Sequence, residues 1–216
     1  QTTAYAMLRS LVGSEMCIRD RGIKMSKSVS NFLLKRRSVT AKTMLASDVT
    51  NEDLDIIISS GLRVPDHGAL SPWKIIVFKG KSRETFGKLF LGKRFKELNP
   101  SASKDDVIYE EKRFLRAGVV VCVVSSPVPH NKIPIWEMQL SSAAVCQNIL
   151  LCAQSLGYAA QWITEWYSYD EVITQELTNN NNDRISGFIY IGKKENEPKE
   201  RIRPELSKVV SYWEKF

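Results

Sequence analysis

Two apolar periods run along this chain, and each predicts a different kind of element. Leu54, Ile57, Ile58 and Leu62 recur at helical spacing behind Thr50–Asp53, a T-N-E-D capping box. That helix stops between Gly61 and Pro65, since proline cannot continue it. Ser82–Leu91 reads as a helix with Phe86, Leu89 and Phe90 on one face, and Asp105–Arg116 as a charge-rich one. Trp136–Leu156 is the longest helical run, and Ser30–Lys35 and Asp170–Leu177 are short ones, the first capped by Ser28 or Ser30. Strand-like runs are Trp73–Phe78, closed by Gly80, then Val119–Val124 and Ile185–Gly192. Another strand follows Gly157 and bears Trp162 and Thr164. Asn179–Asn182 is a polar loop, and a basic tail with Pro198 and Pro204 closes the chain. Helices and strands alternate without regular βαβ spacing, so the expected class is α+β with a mostly antiparallel sheet.

Composition narrows the function classes. At 216 residues and 43% hydrophobic, the chain can bury one sizeable core. No apolar run approaches the roughly 18 residues that a membrane helix needs. The net charge of +7 could suit nucleic acid, but Lys and Arg are interleaved with acids, which describes a solvated face. The four cysteines, Cys17, Cys122, Cys146 and Cys152, form no C-x-x-C pair. Neither a disulfide framework nor a zinc site is expected, a reducing compartment fits, and the expected location is cytoplasmic. The three later cysteines read as small buried hydrophobes.

Residues 1–24 do not share this design. Ser10–Arg21 (SLVGSEMCIRDR) resembles the translation of a sequencing-library adapter, so the expected native start is Met25 and the expected single domain is 25–216. The head carries Arg9, Arg19, Arg21 and Lys24 against Glu15 and Asp20, so without it the net charge falls from +7 to +5. Lys24–Ser28 spells KMSKS, an ATP-loop signature of class I aminoacyl-tRNA synthetases. No nucleotide-binding domain precedes it, and with only His67 and His130 in the chain the companion H-x-G-H is missing, so the match is read as chance.

Walker loops, G-x-G-x-x-G, H-E-x-x-H and G-x-S-x-G are absent. No catalytic side chain and no metal ligand set is therefore nominated, and an enzyme of this sequence would borrow its reactive group from a cofactor. Three segments could serve one. Arg36-Arg37-Ser38 offers two guanidiniums and a hydroxyl suited to a phosphate and a polyol, although a solvated helix end would look the same. Arg63-Val64-Pro65-Asp66-His67-Gly68, followed by Ser71-Pro72-Trp73, is a loop pinned by two prolines and a glycine, either a ligand loop or a plain connector. Gln147–Thr164 (QNILLCAQSLGYAAQWIT) is a long apolar helix turning into a strand, and the helix itself also reads as core.

Taken in order, RRS, RVPDHGALSPW, HNKIPIWE, QNILLCAQSLGYAAQWIT and DRISGFIYIG resemble the minimal single-domain bacterial nitroreductases, from about Leu33 to Trp213. The resemblance implies an FMN-binding α+β fold working as an intertwined homodimer. It further implies hydride transfer from NAD(P)H to an electron-poor acceptor such as a nitroaromatic or quinone, with ping-pong kinetics. It assigns FMN contact to Arg36, Arg37 and Ser38, to Arg63 and His67 reaching the other subunit's flavin, and to Trp162, Ile163 and Thr164. Leu150–Ser155 resembles the region that meets NAD(P)H. Arg201 or Arg203 could complete the phosphate site, and Arg63 or Lys74 could stabilise reduced flavin. Relatives often carry a glycine where Glu165 stands, and a carboxylate there could alter the pocket. A flavin carrier without turnover, other reductive chemistry and a nucleic-acid binder are the rival readings.

Overall fold

The structure, a computed structural model, describes residues 28–213. The adapter-like head, Met25 and nearly all of the KMSKS run lie outside the described residues. The chain divides into two units, Gln1–Arg36 and Arg37–Phe216. In the first, α1 spans 28–35 and closes with the Arg36 N–H donating to the Phe32 carbonyl at 2.8 Å. Ser28 and Ser30 are thus helical residues rather than caps.

The second unit is built on five antiparallel strands: β1 (Met44–Leu45), β2 (Trp73–Lys79), β3 (Val119–Ser125), β4 (Ala159–Ile163) and β5 (Arg184–Lys194). β3 lies between β2 and β5, and the other edge of β5 pairs with β4 and then β1. All seven residues of β3 are buried because the sheet is covered on both faces. Val120, Cys122 and Val124 join Phe188 and Tyr190 in one core, whereas Val119, Val121 and Val123 join Ile189 and Ile191 in the other. This is the period of two expected of a strand.

The first core is roofed by α3 (Lys81–Phe86), the 3-10 turn Arg113–Arg116 that follows α5 (Lys104–Glu111), and α7 (Glu171–Thr178). α4 (Lys93–Leu98) continues α3 through a π-helical segment, Gly87–Gly92, so this helix runs well past the Leu91 expected from its periodicity. Gly87 permits that passage, since a Cβ there would sit 1.9 Å from the Glu111 carbonyl oxygen. The second core is roofed by α2 (Asn51–Gly61) and the long α6 (Ile135–Ser155). A four-residue α8 (Leu206–Val209) lies in the tail.

Thr50 caps α2 by accepting from the Asp53 N–H at 3.0 Å. The Asp53 carboxylate is bound instead by the Tyr158 hydroxyl at 2.6 Å, tying α2 to the strand β4 that follows. The reciprocal capping box is at Ser103 and Asp106, at the start of α5. Cys122 and Cys146 are buried and Cys152 half-buried, all three as free thiols. No helix among the described residues is long and apolar enough to cross a membrane.

Candidate flavin site

β4 delivers Trp162 and Ile163 opposite Ile189 and Phe188 of β5, and Thr164 follows as an exposed residue just past the strand end. The β3–β5 register shifts at Val123/Val124, so Ser186 is an extra, bulged residue. Its carbonyl accepts the Trp162 indole N–H at 3.0 Å. Gly187 makes room for that ring, since a Cβ there would lie 2.0 Å from Trp162 Nε1. With its N–H satisfied, Trp162 has ring surface and backbone to offer a ligand.

Glu165 turns away from the end of β4. Its carboxylate accepts from Arg113 and lies 3.9 Å from Arg116. Arg113 also donates to Glu110 at 2.6 Å, and Glu110 accepts the Trp166 indole N–H at 2.8 Å. Burial alone would lower the Arg113 pKa, but the hydrogen bond and charge of Glu110 outweigh it and raise it. The carboxylate expected to alter the pocket is therefore neutralised in a half-buried ion cluster.

Arg37 and Ser38 run beside β4. The Val39 N–H donates to the Ala160 carbonyl at 3.3 Å, and the Ala41 N–H to the Gln161 side chain at 2.5 Å. Gln154, at the end of α6, donates to the Arg37 carbonyl at 2.9 Å and the Ala160 carbonyl at 3.2 Å. A cavity of about 360 Å³ opens here, lined by Arg37, Ser38, Thr40, Thr43 and residues 195–199. The Arg37 guanidinium donates to the Lys199 carbonyl and sits 3.5 Å from Glu200. Arg37, Lys199 and three hydroxyls in this lining suit a phosphate and a polyol, against the carboxylates of Glu195 and Glu197. Arg201 and Arg203 are exposed and do not line this cavity. Arg36 falls in the N-terminal unit. A larger cavity of about 600 Å³, lined by residues including Ser168, Thr174 and Arg184, shares no residue with the expected site.

The Arg63–Trp73 loop is laid along α6. Asn148 donates to the Arg63 carbonyl at 2.9 Å, Ser141 to the Pro65 carbonyl at 2.7 Å, and Glu137 pairs with His67 Nδ1 at 2.7 Å. Asp66 accepts the Leu70 and Ser71 N–H groups, at 3.2 and 2.8 Å, and so folds the chain back toward β2. Arg63 and His67 are exposed, and among the described residues Arg63 pairs with no carboxylate. Lys74 is bonded at 2.8 Å to the fully buried Asp183, so its charge is already matched. His130 Nδ1 accepts the N–H groups of Lys132 and Ile133 at 3.2 and 3.0 Å, a loop-fixing role. Leu150 and Ala153 are buried, which leaves Ser155 as the exposed residue of the stretch expected to meet NAD(P)H.

The expected residues thus form two groups. Arg37 and Ser38 lie near the C-terminus of α6 beside Ala160, His67 is held near its N-terminus, and Trp162 lies between them, its N–H on Ser186, whose hydroxyl meets that of Ser142 on α6 at 2.6 Å. From Glu137 to Gln154 the helix rises about 25 Å at 1.5 Å per residue, farther than one flavin nucleotide extends.

The sequence profile of the Nitroreductase family matches residues 33–193, which include Arg37, Ser38, Arg63, His67 and Trp162–Thr164. The chain belongs to the nitroreductase family. Among curated relatives it is similar to YdjA of Escherichia coli K12, which carries a provisional NAD(P)H nitroreductase name, with 26% identity over 185 residues. That match covers 84% of this chain and 97% of YdjA. Among solved structures, a nitroreductase-like family protein from Bacillus cereus superposes with a TM-score of 0.71 at 21% identity, covering 86% of this chain and 96% of that one. A nitroreductase with bound FMN from Bacteroides fragilis superposes with a TM-score of 0.63 at 18% identity, covering 86% and 98%. In this nitroreductase, the residues that sequence reasoning missed are the polar ones on α6: Glu137, Ser141, Asn148 and Gln154. Their signal was polar side chains in an otherwise apolar helix, the first three spaced four and seven residues apart on one stripe.

Proposed function

We propose that this nitroreductase works as a homodimer, binds FMN between its subunits, and passes hydride from NAD(P)H to an electron-poor small molecule such as a nitroaromatic or quinone. The observation that carries the reading is the division of the site along α6. One copy places Arg37 and Ser38 at one end and His67 at the other, so a second copy is needed to bring both groups to one flavin. Ile56 of α2, Leu62 just past its end, and Ile135, Trp136 and Leu140 of α6 are 42–66% exposed, apolar surface that a second copy would cover.

FMN supplies a ring that takes up a hydride equivalent from a nicotinamide and gives it to an acceptor. Arg37, Ser38, Thr40 and Thr43 would hold its phosphate and ribityl end, and Trp162, Ile163 and Thr164 would lie along the ring. Arg63 and His67 would reach in from the partner copy. Arg63, with no carboxylate partner among the described residues, is better placed than Lys74 to favour negative charge at the pyrimidine edge. No side chain need act as central acid or base, and donor and acceptor using one space in turn gives ping-pong kinetics. The working domain in this reading is residues 25–216.

The test is the absorbance spectrum of the purified protein before and after anaerobic NADH or NADPH. A flavin spectrum that bleaches supports the reading and names the donor. A flavin spectrum that persists with both donors points to a carrier, and a protein that takes up no FMN overturns the proposal.

A further inference from the structure

The contacts between α6 and the Arg63–Trp73 loop follow a simple geometry. Loop residues Arg63, Pro65 and His67, at alternate positions, each meet α6. Helix residues 148, 141 and 137 are seven and four apart, two turns and one, and share a stripe. The loop therefore runs antiparallel to the helix and is fastened at three points. Two are alike: Asn148 and Ser141 hold backbone carbonyls, those of Arg63 and Pro65. Ser141 is buried and also accepts the Trp73 indole N–H at 3.1 Å, so that rung belongs to the fold.

The third rung differs. Glu137 holds a ring and not the chain, through a 2.7 Å contact to His67 Nδ1. Both side chains are open to solvent, with exposures of 63% and 45%. An exposed pair of this kind contributes little to stability, about 0–1 kcal/mol. Its effect is on the ring. A carboxylate can only accept, so Nδ1 must carry the hydrogen, which leaves Nε2 on the far edge of the imidazole for another partner.

We propose that Glu137 is a positioning residue of the flavin site: it fixes His67 as the Nδ1–H tautomer and turns Nε2 toward the flavin held by the partner subunit. This rests on the reading of His67 as a cofactor contact given above. Glu137 acts through His67 and touches neither flavin nor substrate.

The chain has only two histidines, and they should show opposite tautomers. His130 Nδ1 accepts two backbone N–H groups, so its hydrogen is on Nε2. Long-range 1H–15N spectra of the ring nitrogens, taken near pH 8.5, about two units above the ordinary histidine value of about 6.5, read both in one experiment. The unaltered protein should give one Nδ1–H and one Nε2–H pattern. Glu137→Ala should convert the first to the Nε2–H-rich mixture of a free imidazole and leave His130 unchanged. Glu137→Gln still accepts through its amide oxygen and should keep the Nδ1–H pattern. The FMN dissociation constant, from flavin fluorescence, should rise about tenfold in Glu137→Ala and less than threefold in Glu137→Gln. Melting temperatures should stay within about 2 °C, which a structural role would not allow.

An Nε2–H pattern for His67 in the unaltered protein, or one insensitive to Glu137→Ala, overturns the positioning role. A changed tautomer with unchanged FMN affinity overturns the direction assigned to Nε2. Unaltered protein that binds no FMN sinks the functional reading itself, and the tautomer spectra, which need no flavin, separate that failure from a failure of the Glu137–His67 contact.

Discussion

Arg113→Met removes the centre of the ion cluster behind the candidate flavin turn. Arg113 is 8% exposed and Glu110 4%, and the pair is reinforced by Glu165 on the other side of the guanidinium. Without Arg113, Glu110 keeps the Trp166 indole N–H but has lost its countercharge in a site closed to water. Breaking a buried pair from one side costs about 3–5 kcal/mol. At about 2–4 °C per kcal/mol for a domain of this size, the melting temperature should fall by about 10 °C. Removing the stranded charge as well, in Glu110→Gln/Arg113→Met, should restore most of the loss, because an uncharged pair pays no such desolvation cost and the amide oxygen still accepts from Trp166. The assay is thermal unfolding of the parent, both single variants and the double variant, with FMN affinity measured alongside. Since Glu165 and Trp166 follow Thr164 directly, the single variant should also weaken FMN binding. A single variant melting within 2 °C of the parent, or a double variant no better than Arg113→Met, would refute the reasoning.

Three further outcomes are expected. Gly187→Ala forces a Cβ to within 2.0 Å of Trp162 Nε1, so it should cost about 1–3 kcal/mol and shift tryptophan emission as the ring leaves the Ser186 carbonyl; an unchanged emission spectrum and melting temperature would contradict the packing. Burial pushes the Tyr167 hydroxyl up to about 12 and raises Tyr190, bonded to it at 2.9 Å, well above its ordinary 10.0. Both are then protonated in the folded state after the unfolded chain has ionised. Stability should thus hold below pH 10 and fall by about 1.4 kcal/mol per pH unit per tyrosine from pH 10 toward pH 12, as followed by denaturant unfolding across that range. Burial likewise raises the Cys122 thiol and pushes Cys146 up to about 12, so alkylation of the folded protein should spare both and reach Cys152, with all three labelled only after unfolding; mass spectrometry of the labelled peptides decides it.

Much of this architecture was legible because burial leaves a period in the sequence. The β-branched run at 119–125 needed both faces covered, and the two cores on its alternate sides supply that cover. The long helix appeared within one residue of its expected ends, because a helix that roofs a core must stay apolar along one side. What escaped was fixed by partners distant in the chain. β1 is two residues long and exists because β5 extends past β4 to pair with it. The π-helical segment depends on the close approach of Glu111 at Gly87, a contact that no period in 81–98 encodes. Asp53 looked like the return half of a capping box, yet Tyr158, 105 residues on, took its carboxylate. The motif segments nominated Arg37, Ser38, Arg63 and His67, but the chain order of RRS and R-V-P-D-H says nothing of their separation in space.

That separation is the step from fold to function. α6 sets the distance: Gln154 fastens Arg37 near one end, Glu137 fastens His67 near the other, and the rise between them is about 25 Å. Were the loop held by loose side-chain contacts, it could fold back toward Arg37 and complete the site within one copy. It is instead fastened to the helix by the Asn148 and Ser141 hydrogen bonds to its backbone, with Val64 packed into the core between them. A flavin that used both groups would therefore have to lie between two copies, and dilution below the dimer's dissociation constant should release FMN and subunits together. Flavin fluorescence and sedimentation followed on one dilution series test this directly. FMN retained by a monomer would show that Arg37, Ser38 and the Trp162 turn suffice, and would remove His67 and Arg63 from the site.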